Sequence, residues 1–231
     1  MARSVPPMRD KLTPKGQARR DDLLRTSARL FADRGYHPTS VSEIVDEMGV
    51  GKGVFYWYFA SKEELLSELL RSSNRSLRRR QQSAISEATD PLTRIELGIR
   101  ASLQWFQEHR EHFAIIQFAA ADEIFSPVLA SNEDVAIADT ARHIKEAIVE
   151  GVVVDLDPDM LAHAIHGVVG RLARDFLIER NEPIDLVADL AVAFTLQGLQ
   201  PRDAAQGPTR PMPRTRTVAL PSAHNGSPAS P

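Results

Sequence analysis

Between Ala18 and Arg34 the apolar residues Leu23, Leu24, Ala28, Leu30 and Phe31 recur at spacings of three, four and seven, with Arg and Asp opposite them. That period predicts an amphipathic helix. Val41, Ile44, Val45 and Met48 make a second, shorter stripe, and a third helix is predicted over Lys52 to Phe59. A fourth runs from Ser61 to about Ser83 through Leu65, Leu66, Leu69, Leu70 and Leu77, its later half polar and basic. Further helical periods cover 92–109, about 111–120, about Glu133 to Gly151, 158–180 and Ile184 to Leu199. The run Val152 to Val154 has no partner run to pair with, so it reads as the end of a helix and its loop. The fold class expected is all-α: an N-terminal three-helix head containing a helix-turn-helix, joined to a C-terminal helical bundle.

Punctuation between the stripes supports this division. Ser40 with Glu43, and Ser61 with Glu64, have the S-x-x-E spacing that lets a hydroxyl and a carboxylate cap a helix start reciprocally. Gly35 and Gly49 stand where the first two helices need a residue tolerant of positive φ. His37-Pro38 turns the chain between them, because a residue before proline avoids the helical region. Asp90-Pro91 and Asp157-Pro158 each pair a cap with a proline at the first helical position.

The third helix carries the chemistry. At 100° per residue, Phe55 and Phe59 fall together on one side, with Gly51 and Tyr58 near them, while Lys52, Gly53, Tyr56 and Trp57 gather on the other. The first side suits a core; the second is an aromatic and basic face that a core-packed helix does not need. A DNA major groove about 12 Å wide admits such a helix, Gly53 permits close approach, Lys52 reaches a guanine edge or a phosphate, and tyrosine hydroxyls bond phosphate oxygens. The cluster Gly49, Gly51, Lys52, Gly53 superficially suggests a phosphate loop, but it lacks that motif's glycine spacing and the Ser or Thr after Lys.

Charge sharpens the picture. The net charge of -3 conceals 16 Lys and Arg against 10 Asp and Glu in residues 1–80, then 8 against 20 in residues 81–200. One end suits a polyanion and the middle repels it. With no cysteine, a disulfide framework and a thiolate zinc site are excluded, and a cytoplasmic setting is natural. No apolar run reaches the ~18 to 20 residues that span a bilayer, so no membrane partner is expected. Residues 1–17 read as a disordered basic arm, 18–64 as the DNA-binding head, 65–83 as a connecting helix, 84–200 as a ligand-binding and dimerisation body, and 201–231 as a disordered proline-rich tail.

The run TSVSEIVDEMGVGKGVFYWYFASKEELL, within residues 19–70, resembles the DNA-binding domain of the TetR family of bacterial transcriptional regulators. It shares the Thr/Ser-Val-x-x-Ile start, the Gly-Val turn, the aromatic recognition helix and the Ser-Lys-Glu that opens helix four. The resemblance implies DNA contact from Thr39, Ser40, Ser42, Gly51, Lys52, Gly53, Val54, Tyr56, Trp57, Tyr58 and Lys62. Gly51 and Val54 stand where the family often has Ser or Thr, and Tyr58 replaces a frequent His. It also implies a homodimer formed by the last two long helices, a palindromic double-stranded operator, and release by a small-molecule effector.

For that effector the residues 92–180 offer Trp105, Phe106, Phe113, Ile116, Phe118, His166 and Phe176, although the same residue types also build plain cores. On the predicted helix 158–180, Ala162, His166, Gly170 and Ala173 form a small-residue line that another backbone can approach. His109 with His112, and His163 with His166, have i, i+3 spacing, but two ligands do not make a metal site and none is assigned. No cofactor is expected. No catalytic motif is present, so the expected function is regulation of transcription, most simply repression. The alternatives are a DNA-binding adaptor without small-molecule response and, from another class, a helical enzyme.

Overall fold

The computed structural model describes residues 12–201; the expectations for residues 1–11 and for the tail from Arg202 onward lie outside the described residues. Nine α-helices and no strand occur among the described residues: α1 Pro14–Arg34, α2 Val41–Glu47, α3 Lys52–Tyr58, α4 Lys62–Ile85, α5 Pro91–Glu108, α6 Glu111–Ala120, α7 Ser126–Val149, α8 Pro158–Leu172 and α9 Ile184–Leu199. A 3-10 turn, Glu123–Phe125, leads into α7, and a π-helical segment, Ala173–Glu179, continues α8. None of these helices is by itself long and apolar enough to cross a membrane.

Local chemistry sets the boundaries. The Ser40 hydroxyl accepts from the Glu43 N–H at 3.2 Å while the Glu43 carboxylate accepts from the Ser40 N–H at 2.8 Å, a complete capping box. The second box is incomplete: Ser61 Oγ accepts from the Glu64 N–H at 3.1 Å, but Glu64 reaches past it to the Ala60 N–H. Gly35 and Gly49 take φ of 88° and 64°, ending α1 and α2 where a side chain would be strained.

Two starts differ from expectation. Helix α1 begins at Pro14, inside the stretch read as a disordered arm, because Thr13 caps it by accepting from the Gly16 N–H at 3.2 Å and Pro14 needs no N–H partner there. Helix α7 begins at Ser126 rather than near Glu133: Pro127 lies in its first turn, where its missing N–H breaks nothing.

Two cores result. One joins Leu23, Leu30 and Phe31 of α1, Ile44 and Val45 of α2, Phe55 and Phe59, and Leu65, Leu66, Leu69 and Leu70 of α4; Ile115 and Ala119 of α6 and the turn at Phe125 belong to it too. The other gathers Ile95, Ile99 and Leu103 of α5, Ile144 of α7, Ile165 and Val169 of α8, Leu177, and Val187 and Ala191 of α9. The later half of α4 lies against α5 and α7, and two of its arginines are paired there. Arg78 pairs with Asp139 at 2.7 Å and Arg80 forks onto Glu108 at 2.9 and 3.1 Å, leaving Arg79 exposed.

The small-residue line on α8 is packed in part within the chain itself. Ala162 and Ala173 are fully buried in the chain's own second core. On α9, Leu186, Leu190 and Phe194 follow at i, i+4 and i+8 and are 59, 51 and 63 % exposed, with Met160 of α8 also exposed. An apolar face of that regularity on a surface helix is a candidate for association.

Candidate nucleic-acid interface

Helix α3 is held by Phe55 and Phe59, which are 0 and 2 % exposed; the helical phase then forces the intervening side chains outward. Tyr56 is 54 % and Trp57 49 % exposed, and Lys52 and Gly53 are exposed beside them. Trp57 meets Tyr58 edge to face with centroids 4.5 Å apart, and Tyr58 is half-buried toward α1. Gly51 and Ser40 are exposed, while Ser42 and Val54 are partly so.

Gly53 is informative because the fold does not require it. Its φ is not positive, and a Cβ there would meet nothing within 4 Å. A helical glycine costs about 1 kcal/mol relative to alanine. Its use there leaves the backbone of the exposed face open to close approach.

Two residues of the expected DNA-contacting set are engaged within the fold. Thr39 is fully buried, and its hydroxyl donates to the Gly35 carbonyl at 2.7 Å, so it ties the end of α1 to the start of α2. Lys62 donates to the carbonyls of Tyr36 and Thr39, each at 2.8 Å, and lies 4.2 Å from the Tyr36 ring centroid. Burial of this ammonium pulls its pKa below the usual lysine range. Lys62 is thus a clamp across the α1–α2 loop. The remaining nine residues of the set, Ser40, Ser42, Gly51, Lys52, Gly53, Val54, Tyr56, Trp57 and Tyr58, lie on α2, the turn and α3.

The same loop docks on α6. Tyr36 stacks on Phe118 with centroids 4.5 Å apart, and its hydroxyl donates to Glu63 at 3.2 Å. Burial first, and then the Glu63 carboxylate, push the Tyr36 phenol above its usual range.

Behind α6 lies a cavity of ≈ 720 Å³ between α4, α5, α6, α7 and α8. Phe106, Phe113, Ile116 and His166 line it as expected. Trp105, Phe118 and Phe176 do not. Trp105 is 2 % exposed, donates its indole N–H to Ser76 at 3.2 Å and stacks on His109 at 4.2 Å, so it is core. Phe118 faces the head. Phe176 sits in the π-helical segment, whose wider turn shifts its phase away from the cavity, and carries the Arg180 guanidinium 4.5 Å above its ring.

Beside the expected His166, the polar wall of this cavity is formed by Thr140 and His143 on α7; Thr140 is the member that sequence reasoning missed, because it reads as an ordinary polar helix position. Burial lowers the pKa of His166, and pushes His112, which also lines the cavity, down to about 4. No group of three or more His, Cys, Asp or Glu poised for a metal occurs among the described residues.

Residues 23–69 match the family described as bacterial regulatory proteins, tetR family. The chain is 33% identical over 125 residues to the HTH-type transcriptional repressor KstR2 of Mycobacterium tuberculosis, a match covering 54% of this chain and 62% of that protein. The match therefore spans less than two thirds of that relative's length. Against the HTH-type transcriptional activator FasR of Mycolicibacterium smegmatis it is 28% identical, covering 78% of this chain and 80% of the other. The solved structure of the ketosteroid transcriptional regulator KstR2 of M. tuberculosis superposes with a TM-score of 0.62 at 28% identity, covering 79% of this chain and 95% of that one.

Proposed function

Because the chain belongs to the TetR family of bacterial regulatory proteins, we propose that it is a sequence-specific DNA-binding transcriptional regulator, a repressor, released from a palindromic operator by a small molecule that enters the cavity behind α6. The observation that carries this reading is the face of α3: Lys52, Gly53, Tyr56 and Trp57 exposed together while Phe55 and Phe59 anchor the same helix. A helix so anchored can enter a major groove with its aromatic and basic side outward.

The exposed apolar face of α9 supports dimerisation. Leu186, Leu190 and Phe194 form one stripe that a second copy covers by two-fold symmetry, making a four-helix contact with α8. Two heads then meet two half-sites, which is why the operator is palindromic. The sign of regulation follows KstR2; FasR, named an activator, carries the opposite one. Release is linkage: a ligand that fits the cavity better when the heads are wrongly spaced for DNA draws the population to that state. The reading places the protein with the chromosome, in the cytoplasm, and assigns it no catalytic role.

Fluorescence anisotropy with the DNA upstream of its own gene tests the proposal. Saturable binding that survives excess competitor DNA is expected, and the double substitution Lys52→Ala, Tyr56→Ala should weaken it by at least 100-fold at fixed salt, at about 1–3 kcal/mol per specific contact. Undiminished specific binding by the double variant would remove α3 from the interface.

A further inference from the structure

The chemical class of the effector can be drawn from the cavity walls, an inference that rests on the reading of that cavity as the effector site. Hydrocarbon dominates α5 and α6, with Ile99, Phe106, Phe113 and Ile116 among the lining side chains, while α4 mixes Leu77 with Asn74, Gln81 and Gln82. The wall from α7 and α8 is polar as well. Thr140 Oγ1 lies 2.9 Å from His166 Nε2 and donates to the Ala136 carbonyl at 3.2 Å. His143 lines the same wall; its Nδ1 is buried with no hydrogen-bond partner among the described residues and is closed to the cavity as well, so the rest of the ring is what a ligand meets. The carboxylate nearest to that nitrogen, Glu146, is 3.7 Å away, beyond hydrogen-bond reach, and already accepts from Arg94 at 2.8 Å.

The charges around the cavity cancel. Arg78 and Arg142 both hold Asp139, at 2.7 and 2.6 Å, and Arg94 holds Glu146. Glu133 makes no ion pair among the described residues and is exposed. An anionic ligand would have to compete with Asp139 or Glu146 for a guanidinium that is already paired, and be desolvated to do so. A cationic one would face three arginines and find only a solvated glutamate. A neutral oxygen incurs neither penalty, and a neutral imidazole can donate to it or accept from it.

We infer that the cavity binds an uncharged, predominantly hydrocarbon molecule bearing a hydroxyl or carbonyl oxygen, which hydrogen-bonds the wall formed by His143, Thr140 and His166. A volume of ≈ 720 Å³ suits a compact molecule of drug size. Gly98 on α5 also lines the cavity, and a Cβ there would meet nothing within 4 Å, so a larger side chain at this position fills the space without touching the polar wall.

The test uses the full chain and three probes of one chain length: dodecan-1-ol, kept below its solubility limit, and dodecanoate and dodecylammonium, each kept below its micellar concentration. Affinity is read by displacement of Nile red, and operator affinity by anisotropy on the same samples. The alcohol should bind at least 10-fold more tightly than either ion. His143→Leu should weaken the alcohol about 5- to 10-fold, His143→Asn should restore part of that loss, and Gly98→Leu should abolish binding while the melting curve stays cooperative. Equal or tighter binding of either ion, no binding of any probe, or an alcohol affinity indifferent to His143→Leu in a folded variant would overturn the assignment. Binding of the alcohol with operator affinity unchanged would instead overturn the effector reading and leave the chemical class standing.

Discussion

Lys62 separates two accounts of one residue by measurement. If it neutralised a DNA phosphate, Lys62→Met would leave the fold intact and lower the slope of log Kobs against log salt by about 0.9 for each phosphate left without its cation. The structure predicts the reverse. The ammonium donates two 2.8 Å hydrogen bonds, to the Tyr36 and Thr39 carbonyls, and lies over the Tyr36 ring. Hydrogen bonds to a charged group contribute about 1.5–3 kcal/mol each, and a solvent-exposed cation–π contact about 0.5–1. Lys62 is only partly buried, so water replaces part of this, and removing the ammonium also recovers its desolvation cost. A net loss of about 2 kcal/mol remains, which for a chain of this size lowers Tm by roughly 4–8 °C. Differential scanning fluorimetry and salt-dependent anisotropy on the same preparation check both halves. Melting within about 1 °C of the parent, together with a salt slope reduced by about 0.9 per phosphate, would refute the clamp.

Two further outcomes follow from burial. His112 has a folded pKa of about 4 against an ordinary value of 6.5, so between those values the unfolded chain binds a proton that the folded chain does not, and stability falls as pH drops from 6.5 toward 4. This single group contributes a loss of about 2 kcal/mol at pH 5, and His112→Gln should flatten that part of the curve in chemical-denaturation profiles; an unchanged slope would exclude His112 as its source. At Gly98, in mid-α5 with open space at its Cβ position, Gly98→Ala should raise stability by about 1 kcal/mol from helix propensity alone, seen as a Tm higher by roughly 2–4 °C, and a lower Tm would show the site to be tighter than the geometry indicates.

What the sequence made legible was whatever a periodic pattern or a local motif encodes. The inward Phe55 and Phe59 and the outward Tyr56 and Trp57 differ only in helical phase, and 100° per residue separates them without any tertiary knowledge. The capping box at Ser40 is equally local. Thr39 and Lys62 were not readable, because their partners are backbone carbonyls that folding brings near and that no side-chain pattern announces. Aromatic identity likewise cannot tell a cavity wall from a core: Phe113 and Phe118 lie five residues apart on α6, yet one lines the cavity and the other meets Tyr36. The π-helical end of α8 has no local signal, so nothing in the sequence announces that Phe176 lies off the cavity.

The two-sided packing of α6 bears on how such a protein can diverge. Ile115, Phe118 and Ala119 pack with the head core, while Phe113, Ile116 and Ala120 line the cavity on the same three turns. A substitution selected on this helix for a new ligand also perturbs the seat of the DNA-reading unit, so adaptation there is pleiotropic. No side chain of α5 or α8 belongs to the head core, so the cavity-lining residues of those helices carry less of this burden. Ligand range is free to drift along α5 and α8 while operator binding is preserved, and libraries randomised at those positions should yield functional variants more often than libraries randomised on α6.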